Sequence, residues 1–155
     1  MEDLITSLIH ALSSAGLHVV RAMNAQTLPR LQSPMVAVGM DTAKCEQNAI
    51  SYYLGQDAQG KERYGMQLGT TVLMEVFSPG TGDGALCDDT VCRLIDVFLQ
   101  GFDGANHGDM SIAGTAYDAK TDCFRCKVRV PLFKRLYASD NAGLFQSYTI
   151  QGVSQ

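Results

Sequence analysis

The sequence predicts an α+β fold: an antiparallel or mixed β-sheet built from hairpins, with two α-helices packed on it. Three patterns carry that expectation. Apolar residues recur at helical spacing in two separate stretches, 4–12 and 87–98. Between and after them the apolar period drops to two, and each alternating stretch meets a second one across a polar turn. Strands grouped as hairpins, rather than alternating one by one with helices, argue against a parallel βαβ sheet. At 155 residues the chain has the length of one domain and is read as one, 1–155.

The first helix is set by Leu4, Ile5, Leu8, Ile9 and Leu12 on one face, with Gly16 as its stop and acidic Glu2 and Asp3 at its positive end. A short apolar stretch, Leu17 to Arg21, leads into "NAQTLPRLQSP", which Pro29 and Pro34 make an extended loop. From Met35 the period is two. Val36, Val38 and Met40 alternate with small residues, an ambiguous polar stretch intervenes, and Ile50, Tyr52 and Leu54 resume the pattern. "GQDAQGKERYG", with glycine at both ends, reads as the tip of a long hairpin. The return strand is "MQLGTTVLMEVF", with Leu68, Val72, Met74 and Val76 on one face; Gln67, Thr71 and Glu75 share the other with Leu73 and Phe77.

A second helix is expected over about Asp83 to Gln100, on the stripe Cys87, Val91, Leu94, Ile95 and Phe98. After the loop "GFDGANHGD", a second hairpin joins "MSIAGTAYD" to "DCFRCKVRVPLF" through "AKT", and a last short strand is expected near 144–150. The two hairpins share a faint echo, "YLGQDAQGK" against "TAYDAKTD". Two turns built from the same favoured residues account for it.

Composition narrows the function classes. A hydrophobic content of 46% and a charged content of 18% belong to a folded chain, and the low charge leaves room for surface hidden in an assembly. The net charge of −4 argues against wholesale or sequence-specific nucleic-acid binding. No run reaches the 18 or so apolar residues of a membrane helix, and the acidic start is unlike a signal peptide, which places the chain in the cytoplasm. The five cysteines, an odd number, read as thiols of a reducing compartment.

Four features could carry chemistry. The loop "SPGTGDG", with Gly80, Gly82 and Gly84 on alternate positions, leaves a strand and opens a helix as a phosphate loop would. It lacks the Lys and Ser/Thr that a P-loop needs, and Asp83, Asp88 and Asp89 would repel a phosphate. It reads instead as a turn capped by Asp83. "CFRC" has zinc-knuckle spacing, but strand residues three apart point to opposite faces, so Cys123 and Cys126 should diverge. Cys126 then joins Phe124, Val128 and Val130, and Cys87 joins the second helix's buried stripe. His107 lies between Asp103 and Asp109 in a glycine-rich loop that reads as a connection rather than a cation site. Finally, Arg125, Lys127 and Arg129 share one strand face, as a solvated surface or as a surface for an acidic partner. No catalytic, cofactor or metal residue is assigned on these grounds. The reading that stands against a structural protein is a small cytoplasmic ligand- or metal-binding enzyme using the cysteines or the Gly80–Gly84 loop.

In element order over nearly the whole chain, the sequence resembles the tail terminator (tail completion) proteins of long-tailed bacteriophages and prophages. The stretches "MEVFSPGTGDGALCDDTVCRLIDVFL" and "GTAYDAKTDCFRCKVRV" are similar to small tail and neck proteins of Gram-positive prophages. The resemblance implies a non-enzymatic ring-former, typically a hexamer, that caps the tail tube and meets the head connector. It would assemble in the bacterial cytoplasm and end in the virion tail, with tube and connector proteins as partners. The surfaces expected to reach neighbours are the hairpin tip Gly55–Gly65 with Gln59, Lys61 and Arg63; the loops around Gly80 and Gly104, with Gly82 and Asp83; and the row Arg125, Lys127, Arg129.

Overall fold

A computed structural model of the chain describes residues 2–22, 30–46, 52–101 and 106–137. Helix α1 spans Glu2–Ser14 and is followed by strands β1 (Val19–Arg21), β2 (Met35–Glu46), β3 (Tyr53–Gln56) and β4 (Glu62–Pro79). Helix α2 (Ala85–Gln100) comes next, then β5 (Asn106–His107), β6 (Ser111–Ile112), β7 (Ala116–Asp118) and β8 (Cys123–Tyr137). The main path of the mixed sheet runs β1-β2-β4-β8-β5, with β3 on β4 and with β6 and β7 on β8. This is an α+β fold.

Alternation decides which face of the sheet is covered. On β4, Leu68, Thr70, Val72, Met74 and Val76 are all buried, and on β8 so are Cys126, Val128, Val130 and Leu132. The register pairs Val72 with Val130, Met74 with Val128 and Val76 with Cys126, so the two rows merge into one apolar surface. The helices close over it. Leu4, Ile5, Leu8 and Leu12 come down from α1, and Cys87, Val91, Leu94, Val97 and Phe98 from α2. Burying such side chains contributes about 1.5–3 kcal/mol each before entropy is subtracted. A smaller cluster of Met35, Phe77 and Cys123, with Val20, Leu31 and Ala37 beside it, forms on the other face. It accounts for Phe77, one of the two apolar residues out of phase in β4.

The structure corrects the sequence reading in four places. The short apolar stretch Leu17–Arg21, to which the sequence assigns no element, contains β1, which pairs in parallel with β2, Val19 opposite Val36 and Arg21 opposite Val38. Three residues on a sheet edge carry no periodic signal, and tertiary pairing decides their state. The ambiguous stretch after Met40 is the continuation of β2, disguised by a bulge between Met40 and Thr42. One extra residue there reverses the alternation, so the period-two pattern is lost in the sequence but not in the ladder. The first hairpin's tip is shorter than 55–65, because β3 and β4 pair Tyr53 with Tyr64 and Gln56 with Glu62, leaving 57–61 as the turn. The loop after α2 contains β5, which pairs Asn106 with Phe133. The strand expected near 144–150, with Ile50, Asp103 and Gly104, lies outside the described residues.

One dimension controls the shape. β4 and β8 pair continuously from Gly65 opposite Tyr137 to Pro79 opposite Cys123. At about 3.4 Å per residue the ladder is about 50 Å long. The core cluster under the helices takes β4 residues 72–76 and β8 residues 126–132 only. The far end, with β3, continues past them as an arm carrying exposed Tyr53, Tyr64, Phe133, Leu136 and Tyr137.

The core assignment predicts that Leu94→Ala, at a fully buried position of α2, lowers stability by about 2–5 kcal/mol. Leu99→Ala, at a position 73% exposed on the same helix, changes it by less than about 0.5 kcal/mol. Urea unfolding followed by circular dichroism measures both.

Candidate interaction surfaces

The row of cations on β8 faces outward as its spacing requires, and the chain supplies its own acids. Arg125 Nη2 lies 3.0 Å from Glu75 Oε1, Lys127 Nζ 3.3 Å from the same oxygen, and Arg125 Nη1 3.7 Å from Asp118 Oδ2. Arg129 Nε meets Asp41 Oδ2 at 3.2 Å. These partners sit on β4, β7 and β2, so the lattice stitches the outer face across the sheet. Glu75 stands directly opposite Lys127 in the ladder, and the β2 bulge brings Asp41 within reach of Arg129. The Arg125 guanidinium also lies 5.6 Å from the centre of the Phe77 ring, over the small outer cluster. Three cations meet three carboxylates, so the row offers a partner little net charge. Half-exposed pairs of this kind contribute about 0–1 kcal/mol each.

The glycine loop is built around the β7–β8 turn. Gly80 donates its N–H to the carbonyl of Asp122 at 3.0 Å, and a Cβ at position 80 would lie 2.7 Å from that same oxygen. Only glycine fits this approach. Asp122 itself takes a left-handed φ of 49° and accepts a hydrogen bond from the Tyr117 hydroxyl at 2.8 Å. Helix α2 starts at Ala85 rather than Asp83: its N-cap is Gly84, with φ 85°, and no side chain occupies the cap itself. Asp83 stands one residue outside and accepts the Ala85 N–H at 3.1 Å, while Asp88 in the first turn accepts from the Thr115 hydroxyl at 2.6 Å. The positive end of α2 is thus faced by the chain's own carboxylates. Gly82 and Asp83 are exposed.

The cysteines separate as strand geometry dictates. Cys123 belongs to the outer cluster and Cys126 to the main core, where Cys87 also lies. The Cys126 Sγ donates to the Ala113 carbonyl at 3.1 Å and the Cys87 Sγ to the Val76 carbonyl at 3.8 Å. Burial pushes both thiols above their ordinary value, which keeps them protonated and unreactive. Cys45 and Cys92 are exposed. The His107 ring meets Phe98 edge-on, with centres 5.7 Å apart. Among the described residues no group of three or more His, Cys, Asp or Glu side chains is placed to hold a metal ion. Nor, among them, is any helix long and apolar enough to cross a membrane.

The arm holds the remaining predicted residues together with several that sequence patterning missed. Asp57 organises the turn: its Oδ1 accepts the N–H groups of Gln59 at 3.0 Å and Lys61 at 2.9 Å, and its Oδ2 meets Arg63 at 2.8 Å. Asp118 does the same in the other hairpin, accepting the Lys120 N–H at 3.0 Å. The sequence echo between the hairpins is therefore one Asx turn used twice, Asp-Ala-Gln and Asp-Ala-Lys. Backbone hydrogen bonding, from Lys61 and from Lys120 respectively, holds both carboxyls below their usual 3.8. Beside the first turn lies an open cleft of about 330 Å³, lined by Leu54, Gln56, Asp57, Arg63, Arg135 and Tyr137. Tyr53 and Tyr64 pack edge to face, 5.6 Å between centres, and the Tyr64 hydroxyl donates to Glu62 at 2.5 Å. Arg135, Leu136 and Tyr137 were hidden in the sequence, because a mixed apolar and basic run after "VPLF" has no period of its own.

Two outcomes follow. In the folded protein an aromatic disulfide reagent labels Cys45 and Cys92 rapidly, and Cys87, Cys123 and Cys126 react only when denaturant is added. The turn carboxylates have lowered folded-state pKa values, so their stabilisation is complete above 3.8 and is lost as pH falls through those lowered values. Asp57→Ala and Asp118→Ala should each lower the urea midpoint at pH 7, with the gap from the parent closing in strong acid. No protein-family model and no curated protein matches the chain, so what its surface does has to be read from its own residues.

Proposed function

We propose that the chain is a non-enzymatic structural protein of phage or prophage tails, which assembles with copies of itself into a ring that caps the tail tube and meets the head connector. One observation supports assembly above the others. The arm exposes Tyr53, Tyr64, Phe133, Leu136 and Tyr137 around Arg63 and Arg135, beyond the part of the sheet that the helices cover. Phe133, Arg135 and Tyr137 alternate onto one face of the arm and Tyr64 and Leu136 onto the other; tyrosine and arginine are the residue types that anchor protein interfaces. The element order described above, with two helices on one face of a hairpin sheet, is compatible with the tail-protein resemblance and supports that choice of partner. Assembly would take place in the host cytoplasm, with the virion tail as destination.

The outward cations play a different part on this reading. Already paired with Glu75, Asp118 and Asp41, they stiffen the sheet from which the arm projects, and the arm makes the contact.

Size-exclusion chromatography with light scattering, run at rising concentration with and without tail tubes, tests the proposal. The expected result is a defined species of several copies, alone or on the tube ends, with no enzymatic turnover. A strict monomer that also ignores tail tubes sinks it.

A further inference from the structure

Among the described residues the chain carries a second exposed surface, whose charge is opposite to that of the arm. Helix α2 buries one face and turns Leu86, Asp89, Cys92, Asp96 and Leu99 to solvent. Leu86 is 50% exposed and Leu99 is 73% exposed, which is high for leucines in a chain with a filled core. Over 13 residues at 1.5 Å rise, they stand about 20 Å apart along the helix, with Asp88, Asp89 and Asp96 between them. Neither Asp89 nor Asp96 has a hydrogen-bond or ion-pair partner among the described residues. Arg93, the exposed cation of this stretch, donates to the Ala15 carbonyl at 2.9 Å and keeps its charge, which Asp88, Asp89 and Asp96 outnumber. The outward face of α2 is therefore acidic, with an apolar residue at each end.

The arm has the reverse character. Over 53–64 and 132–137 the charged residues are Lys61, Arg63, Lys134 and Arg135 against Asp57 and Glu62. Asp57 is consumed by Arg63 and by the turn, whereas Lys134 and Arg135 meet no acid among the described residues. Exposed Leu136 and Tyr137 follow them directly. These two patches lie on different parts of one chain. α2 turns its buried face into the core cluster shared with β4 residues 72–76 and β8 residues 126–132, so its outward face points away from the sheet, whereas the arm extends that sheet past the helices.

We propose that the arm of one copy docks on the outward face of α2 of the next, Arg135 and its aromatic neighbours against Asp89, Asp96 and the two exposed leucines. The occupant of each surface is a second copy of this chain. Two different patches meeting between identical chains make a head-to-tail contact, the kind that closes into a ring when its rotation allows. Opposite charge sets the register and apolar contact at both ends supplies most of the affinity. This rests on the assembly reading above and specifies the contact that assembly would use.

Exposed Cys92 lies in the middle of the α2 surface and provides the test. In a Cys45→Ser background, Tyr137→Cys places a thiol at the arm's end, and a short bismaleimide should then give a ladder of covalent oligomers that Cys92→Ser abolishes. Arg135→Glu alone, and Asp89→Lys with Asp96→Lys, should each raise the concentration needed for half-assembly by about tenfold or more. Combining all three changes in one chain should restore assembly. Circular dichroism and urea unfolding, unchanged in every variant, confirm that these exposed positions leave the fold intact. Assembly that survives both charge reversals and gives no Cys92-dependent ladder overturns this contact and leaves the ring reading standing. An unmodified chain that stays monomeric, alone and with tail tubes, takes down both.

Discussion

The long antiparallel pairing of β4 with β8 is the constraint on which the other features depend. Its register, Val72 on Val130 and Glu75 on Lys127, assigns every side chain of both strands to one face or the other. A slip of one residue would drive Arg125, Lys127 and Arg129 beneath the helices and turn Val128 and Val130 out to water. Burying those cations unpaired would cost far more than any single apolar contact returns. The lattice of Glu75, Asp41 and Asp118 adds little energy of its own, yet it can form in only one register. Its contribution is to specificity more than to stability.

The same ladder explains the form of the glycine loop. β4 leaves the sheet at Pro79 just where β8 enters it at Cys123, so the chain must turn toward α2 over the backbone of the β7–β8 turn. Gly80 is needed for that close passage to Asp122, and Gly84 for the left-handed residue that starts the helix. The spacing that resembles a phosphate loop is thereby explained by backbone geometry. Asp83 and Asp88, at the positive end of α2, supply the negative charge that a phosphate would otherwise bring.

Much of this was legible in the sequence wherever one periodic element met one demand. The stripes of α1 and α2, the alternation of β4, the divergence of Cys123 from Cys126 and the common face of the three cations follow from local period alone. What escaped depends on partners far along the chain. β1 is a strand because Val36 and Val38 offer it an edge, and three residues cannot announce that. The β2 bulge at Asp41 inverted a pattern that period counting takes to be continuous. Glu75 and Asp41 lie 50 and 88 positions from the arginines they meet, and nothing local couples them. The arm was legible as a hairpin tip at Gln59, Lys61 and Arg63, but its basic and aromatic flank on β8 was not.

The division of labour along the ladder bears on where partner specificity resides. At the end under the helices, the outer charges are paired within the chain, so a neighbour there would have to displace existing pairs and would gain little net free energy. At the arm, Arg135 has no partner among the described residues, and Phe133 and Tyr137 on the same strand face are exposed. A neighbour can meet Arg135 there without displacing an ion pair recorded among the described residues. On the proposed reading this asymmetry steers association: copies are drawn together by unpaired charge at two sites and cannot profit from stacking sheet on sheet through the lattice face. Head-to-tail growth with a fixed rotation is the outcome such an arrangement favours over face-to-face pairing.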